Sequence, residues 1–208
     1  SAASDVYKRQ AISGVALVDN INRLIIQVMA ALATGGAVVC SQYIGKKEDE
    51  QAQKSGAQLE TVLVIFAVTM MIISLTCTRP LLGAIFGHVE ESVMESAILY
   101  FMVTSVSFPF LGLYNAGAAI FRSVGNSSIS MKISVLMNII NVAGNAIFVF
   151  GFHWAVFGVA FATLLSRLVA GFVMLALVCG KTNPIRITKL NEFKPDSNII
   201  KKLSLIHI

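Results

Sequence analysis

Long apolar stretches separated by short charged links make up most of the chain. Crossing about 30 Å of hydrocarbon takes roughly 20 apolar residues as a helix. Five stretches come close to or exceed that length. Residues 24–45 lie between Arg23 and Lys46, and residues 61–78 between Glu60 and Arg79, with PLLGAIFG continuing them. Residues 96–121 lie between Glu95 and Arg122, residues 133–152 follow Lys132, and residues 156–178 follow the link HWA. Backbone groups cannot stay unpaired in lipid, so the pattern predicts helices and not strands. The links are short, so consecutive spans are predicted to be antiparallel neighbours.

The polar residues inside these stretches are not scattered. At about 100° per residue, Ser134, Asn138, Asn141 and Asn145 fall within an arc of roughly 60°. The rest of that helix is Val, Leu, Ile, Met, Ala and Phe. On the first span Gln27, Thr34 and Ser41 share a face, with Asn20 above them. On the third, Thr104, Ser107, Asn115 and Arg122 line up, and Pro109 loosens the helix. On the fifth, Thr163 and Arg167 stand one turn apart. The second span carries only dispersed Thr and Ser, which predicts a lipid-facing or purely structural helix.

Two explanations account for such stripes. Hydrogen bonds between packed spans are worth only about 0.6 kcal/mol each, and Ala31, Gly35, Gly36, Gly117, Gly144, Gly158 and Ala162 would let backbones approach. The other explanation is a cavity for water, ion or solute, since asparagine offers both donors and acceptors. Arg167 sits near mid-span, where insertion costs about 2.5–3.5 kcal/mol, so it is expected to face the bundle interior or a wet cavity. With no carboxylate deep in any of the five stretches, its expected partners are carbonyls, the asparagines, or an acid on a missing helix.

Composition agrees with the pattern. The 208 residues are 56% hydrophobic and 13% charged, with a mean hydropathy of +0.76. Soluble domains average about 25% charged residues, so the chain is expected to reside in a membrane. The net charge is +5, but its placement matters more. Lys46, Lys47 and Lys54 follow the first span, Arg122 and Lys132 the third, and Lys181, Arg186 and Lys189 the fifth. The alternate links GHVEESVME and GFHWA hold no Lys or Arg. The positive-inside rule then puts the tail after the fifth span in the cytoplasm and Trp154 at the outer boundary. No nucleic-acid motif accompanies the basic residues. Cys40, Cys77 and Cys179, and His88, His153 and His207, lack disulfide or metal-ligand spacing.

The ends differ in character from the rest. SAASDVYKRQ at residues 1–10 and the close at residues 204–208 read as non-native read-through, leaving spans over residues 11–180. Residues 181–203 read as a polar cytoplasmic linker, with a short amphipathic helix over residues 197–203.

At SQYIGKKEDEQA, PFLGLYNAGAAIFRSVGNS and MNIINVAGNAIFVFGF, followed by GVAFATLLSR, the sequence closely resembles the MATE (multidrug and toxic compound extrusion) family. The resemblance implies an all-α polytopic transmembrane bundle, five spans of a six-helix lobe, with the first helix and second lobe missing. It also implies a cation site in some members, built from an acid on the first helix, Asn and Asp one turn apart on the fifth, and a threonine on the sixth. Asn141, Asn145 and Thr163 fall on the last three, with Asn145 where an Asp is expected. A neutral Asn145 cannot carry a titrating proton, so a sodium site there, or coupling elsewhere, is the alternative.

The expectation is therefore a fragment of a secondary antiporter in the cytoplasmic membrane. It would export small organic, often cationic, compounds in exchange for sodium or protons, with no other cofactor and no nucleic acid. The expected cation or solute path comprises Asn138, Asn141, Asn145, Thr163, Arg167, Gln27 and Asn115. The alternatives are a flippase of related fold for lipid-linked oligosaccharides, which would want more Lys and Arg in the cavity, and a non-transporting membrane scaffold. A membrane-embedded enzyme would need His, Asp, Glu or Cys clustered at depth, and the pattern holds none.

Overall fold

The computed structural model describes residues 2–87, 89–180, 185 and 187, with side chains from residue 12 onward. The expected linker helix over residues 197–203, the closing residues 204–208 and His88 lie outside the described residues. Among those described, seven α-helices form an all-helical bundle: α1 (Ala2–Gly45), α2 (Asp49–Thr76), α3 (Thr78–Phe86), α4 (Glu91–Ser105), α5 (Phe108–Ser123), α6 (Ser127–Asn145) and α7 (Ala155–Val178). A six-residue π-helical turn, Ala146–Gly151, extends α6. Four helices are long and apolar enough to cross a membrane, and the bent pair α4–α5 makes a fifth crossing if it counts as one span.

The expected spans are all present, but two of them start well upstream of the expected positions. Helix α1 runs unbroken from Ala2, and its apolar crossing stretch already includes residues 12–23, upstream of the expected start at residue 24. Its buried residues Val18, Asn22, Met29, Ala33, Gly36 and Cys40 recur every three to four positions or multiples of them, so one stripe faces the bundle throughout. Helix α2 likewise begins at Asp49, which places Glu60 well inside it. Charges that looked like span boundaries are interior residues of longer helices.

The third span is broken. Pro109 has no N–H to give the carbonyl of Ser105, and its ring would clash with that group. The helix ends at Ser105, restarts at Phe108, and bends by 48°. Side chains cover the break: Ser105 Oγ donates to the Phe101 carbonyl (2.6 Å) and Ser107 Oγ to that of Thr104 (2.5 Å).

Helix α5 lies at the centre, packed on α1, α2, α6 and α7. Its residues Ala116 through Phe121 are all buried. Small residues set the close approaches. A Cβ on Gly171 of α7 would stand 2.5 Å from the Phe110 carbonyl oxygen, so only glycine fits there without parting α5 and α7. Gly112 of α5 lies against the Leu63 carbonyl of α2. Gly36 meets Leu59, Gly117 meets Met174, and Gly144 meets Ala162.

Two links end their helices alike. Gly125, at φ +79°, sits between an Asn126 N–H to Phe121 carbonyl bond (2.9 Å) and its own bond to Arg122 (3.0 Å). Lys47 takes the same left-handed position after α1, at φ +58°. This paired closure is the Schellman motif, which favours glycine. At the α6–α7 turn, Phe148, Phe152, Trp154, Phe157 and Phe161 form one cluster of ring contacts.

Helix α6 is the most peripheral span. Only 11% of its most apolar window is buried, against 28% for α2 and 33% for α1 and α7. The dispersed polar pattern of α2 had suggested the opposite ranking.

Candidate functional site

The polar stripes of α6 and α7 meet. Asn145 Nδ2 donates to Asn141 Oδ1 at 3.2 Å, and Asn141 Nδ2 donates to Thr163 Oγ1 at 3.2 Å. Thr163 gives its own proton to the Val159 carbonyl (3.0 Å), so it accepts from Asn141. The residues four apart on α6 share a face, and Gly144 against Ala162 brings α7 close enough for the bridge. Asn145 Oδ1 is buried without a hydrogen-bond partner. It is an acceptor with nothing among the described residues to accept from.

Tyr100 of α4, 5% exposed, donates its hydroxyl to Asp19 Oδ1 of α1 at 3.0 Å. Thr163 neighbours Tyr100 without bonding to it, since the proton of each hydroxyl is already given elsewhere. The bonded chain Asn145–Asn141–Thr163 and the bonded pair Tyr100–Asp19 therefore lie side by side over four helices. All five lie toward the same end of the bundle, where α4 and α7 begin and α6 finishes. Beside it, Asn22 Nδ2 donates to Thr104 Oγ1 (3.4 Å), and Asn22 Oδ1 is a second buried acceptor without a partner.

Arg167 is anchored. Its guanidinium donates to Ser107 Oγ at 2.8 Å, at the break between α4 and α5. Asp19 and Tyr100 stand within electrostatic reach of it. The expectation that no carboxylate lies at depth is thus corrected: Asp19 is inside the crossing part of α1 and contributes to the field around Arg167.

The other predicted positions stay outside this series. Asn138 is exposed on α6, and Gln27 is exposed on α1, as are Thr34 and Ser41. Asn115 is half-buried and spends its amide on the Leu111 carbonyl of its own helix (2.9 Å). Ser134 is half-buried. The residues that sequence reasoning missed are Asp19, Asn22 and Tyr100. The signal for the first two was the apolar stripe of α1, which continues upstream of Arg23 through Val18 and Val15. Tyr100 gave none, because a tyrosine in an apolar span reads as core.

Several membrane-length helices around an internal polar line define a polytopic helical membrane protein. A family model described as MatE matches residues 3–147, and the chain belongs to the MATE family. It is 26% identical over 211 residues to the "Uncharacterized transporter YisQ" of Bacillus subtilis, covering 97% of this chain and 45% of that protein. It is 27% identical over 175 residues to the "Probable multidrug resistance protein NorM" of Thermotoga maritima, covering 81% of this chain and 37% of that one. Among solved structures, the inward-facing conformation of a multidrug resistance MATE family transporter of the MOP superfamily superimposes with a TM-score of 0.86. There the identity is 26%, over 95% of this chain and 44% of that one. The chain spans less than half the length of each of these relatives.

Proposed function

We propose that this chain is one lobe's worth of a secondary active antiporter and not an enzyme. The whole protein would export small organic, often cationic, compounds in exchange for sodium or protons. It would sit in the cytoplasmic membrane with the segment after α7 on the cytoplasmic side, as the Lys and Arg of alternate links favour. The observation that carries the reading is the polar series from Asp19 to Asn145. It sets a carboxylate on α1, bonded to Tyr100, alongside the Thr163–Asn141–Asn145 chain, which ends in a buried, unpartnered amide oxygen on α6. A bare carbonyl oxygen at the end of that chain is the type of ligand a hard cation takes, and Asp19 adds a carboxyl group on a neighbouring helix. Arg167, bonded to Ser107 at the break between α4 and α5, stands within electrostatic reach of Asp19. Exchange follows if cation and solute each bind a different arrangement of the protein more tightly.

The test is efflux of a fluorescent organic cation from cells expressing the full-length gene, with and without an imposed sodium or proton gradient. Gradient-dependent efflux above that of empty-vector cells is expected. Efflux equal to the empty-vector level under every gradient, for a panel of dyes and drugs, would overturn the proposal.

A further inference from the structure

Helix α2 holds an acid that the polar line does not use. Gly56, Glu60, Leu63 and Ala67 recur at helical spacing along one face. Gly56 approaches Ile120 of α5, and Leu63 and Ala67 approach Gly112 of α5. These contacts run antiparallel and bracket Glu60, which therefore lies opposite residues 116–119, the run Ala-Gly-Ala-Ala. Glu60 is 1% exposed, and neither carboxyl oxygen has a hydrogen-bond partner.

No charge compensates it among the described residues. The titratable groups on the packed helices include Cys40 and Tyr43 of α1 and Tyr114 and Arg122 of α5, and Ile185, which touches Gly56 one turn from Glu60, is followed in sequence by Arg186, which lies outside the described residues. Arg79 of α3, and Glu95 and Tyr100 of α4, adjoin the far half of α2. On α2 itself, Lys54 pairs with Glu50. None bonds to Glu60. An isolated carboxylate in a dry contact takes up a proton in preference to staying charged. An ionisable side chain inside a membrane-crossing helix commonly marks an ion or proton path.

We propose that Glu60 is a proton-binding site that controls the α2–α5 contact. The bound proton lets the two helices close over the carboxyl. Parting them admits water, the O–H bond breaks, its electron pair stays on the carboxylate, and the proton passes to water. Proton binding and helix closure then favour each other reciprocally. The site lies toward the Asp49 end of α2, apart from the Asp19–Asn145 series near the α6–α7 turn. It needs only the membrane-crossing fold and does not depend on the export reading.

Two measurements on the full-length protein in lipid nanodiscs test it. In infrared spectra at neutral pH, a protonated-carboxyl band is expected that shifts on glutamate-specific carbon-13 labelling and disappears in Glu60→Gln. Absence of such a band in the unsubstituted protein overturns the proposal, whatever the variant does. In a background with native cysteines replaced, Ala116→Cys is then labelled by a water-soluble thiol reagent, normalised to an exposed control cysteine. Labelling is expected to rise about tenfold from acidic to alkaline pH, within the usual range of site-to-site coupling. It should stay low throughout in Glu60→Gln. Flat labelling with Glu60 present, or a pH-dependent rise that persists in Glu60→Gln, overturns it.

Discussion

Replacing Asn141 with leucine separates helix packing from passage. The side chain makes two hydrogen bonds, accepting from Asn145 at 3.2 Å and donating to Thr163 at 3.2 Å. Such bonds in membranes average about 0.6 kcal/mol, so losing both costs about 1.2 kcal/mol. Leucine is close in size to asparagine, so no large cavity opens. A tenfold change in an equilibrium needs about 1.4 kcal/mol, and a typical domain holds about 5–15 kcal/mol in reserve. The variant therefore folds, and its stability loss explains less than a tenfold change in anything measured. The assay is dye efflux from cells expressing the full-length protein, normalised to folded transporter by size-exclusion fluorescence. A path residue predicts efflux reduced far beyond tenfold at near-normal folded yield. Unchanged efflux with a melting temperature lowered by the equivalent of about 1 kcal/mol would refute the reasoning and leave Asn141 as a packing residue.

Three further outcomes are expected. Tyr100→Phe deletes the hydroxyl that donates to Asp19; thermal unfolding in detergent should show a loss of about 0.5–1.5 kcal/mol, and an unchanged or higher melting temperature contradicts a bond between α4 and α1 there. Gly171→Ala places a Cβ 2.5 Å from the Phe110 carbonyl oxygen and 3.0 Å from its Cα, both backbone atoms that cannot swing away. The overpacking cost of about 1–3 kcal/mol should exceed the gain of about 1 kcal/mol in helix propensity, so a raised melting temperature would count against this contact. Lys47→Gly relieves a left-handed backbone at φ +58° and should stabilise by about 1 kcal/mol, whereas Gly125→Ala at φ +79° should destabilise by a similar amount; the two melting shifts having the same sign would defeat the turn assignment.

Much of the site was legible in one dimension. Asn141 and Asn145 are one turn apart on a helix whose other face is oil, and that spacing alone predicts a shared polar edge. Thr163 and Arg167 follow the same rule. Asp19 was lost because a hydropathy window ends at charge: with Arg23 close by, the apolar stretch seemed to begin after it. Glu60 was read as a span boundary for the same reason. Burial inside a bundle tolerates a charge that a lipid-facing window would reject, and hydropathy cannot tell the two surroundings apart.

The sequence by itself determined which stretches are helical, the polar face of each, and the break at Pro109. These follow from hydrogen bonds and steric contacts within four residues along the chain. Only the tertiary structure decided which faces meet. Asp19 reaches Tyr100 across 81 positions, and Arg167 reaches Ser107 across 60. It also made α6 the outermost span and buried Glu60 beneath α5. Those outcomes depend on how closely two helices approach and at what angle. Gly171 against Phe110 and Gly112 against Leu63 set that approach, and no periodicity in a single helix records where its neighbour's small residue will stand.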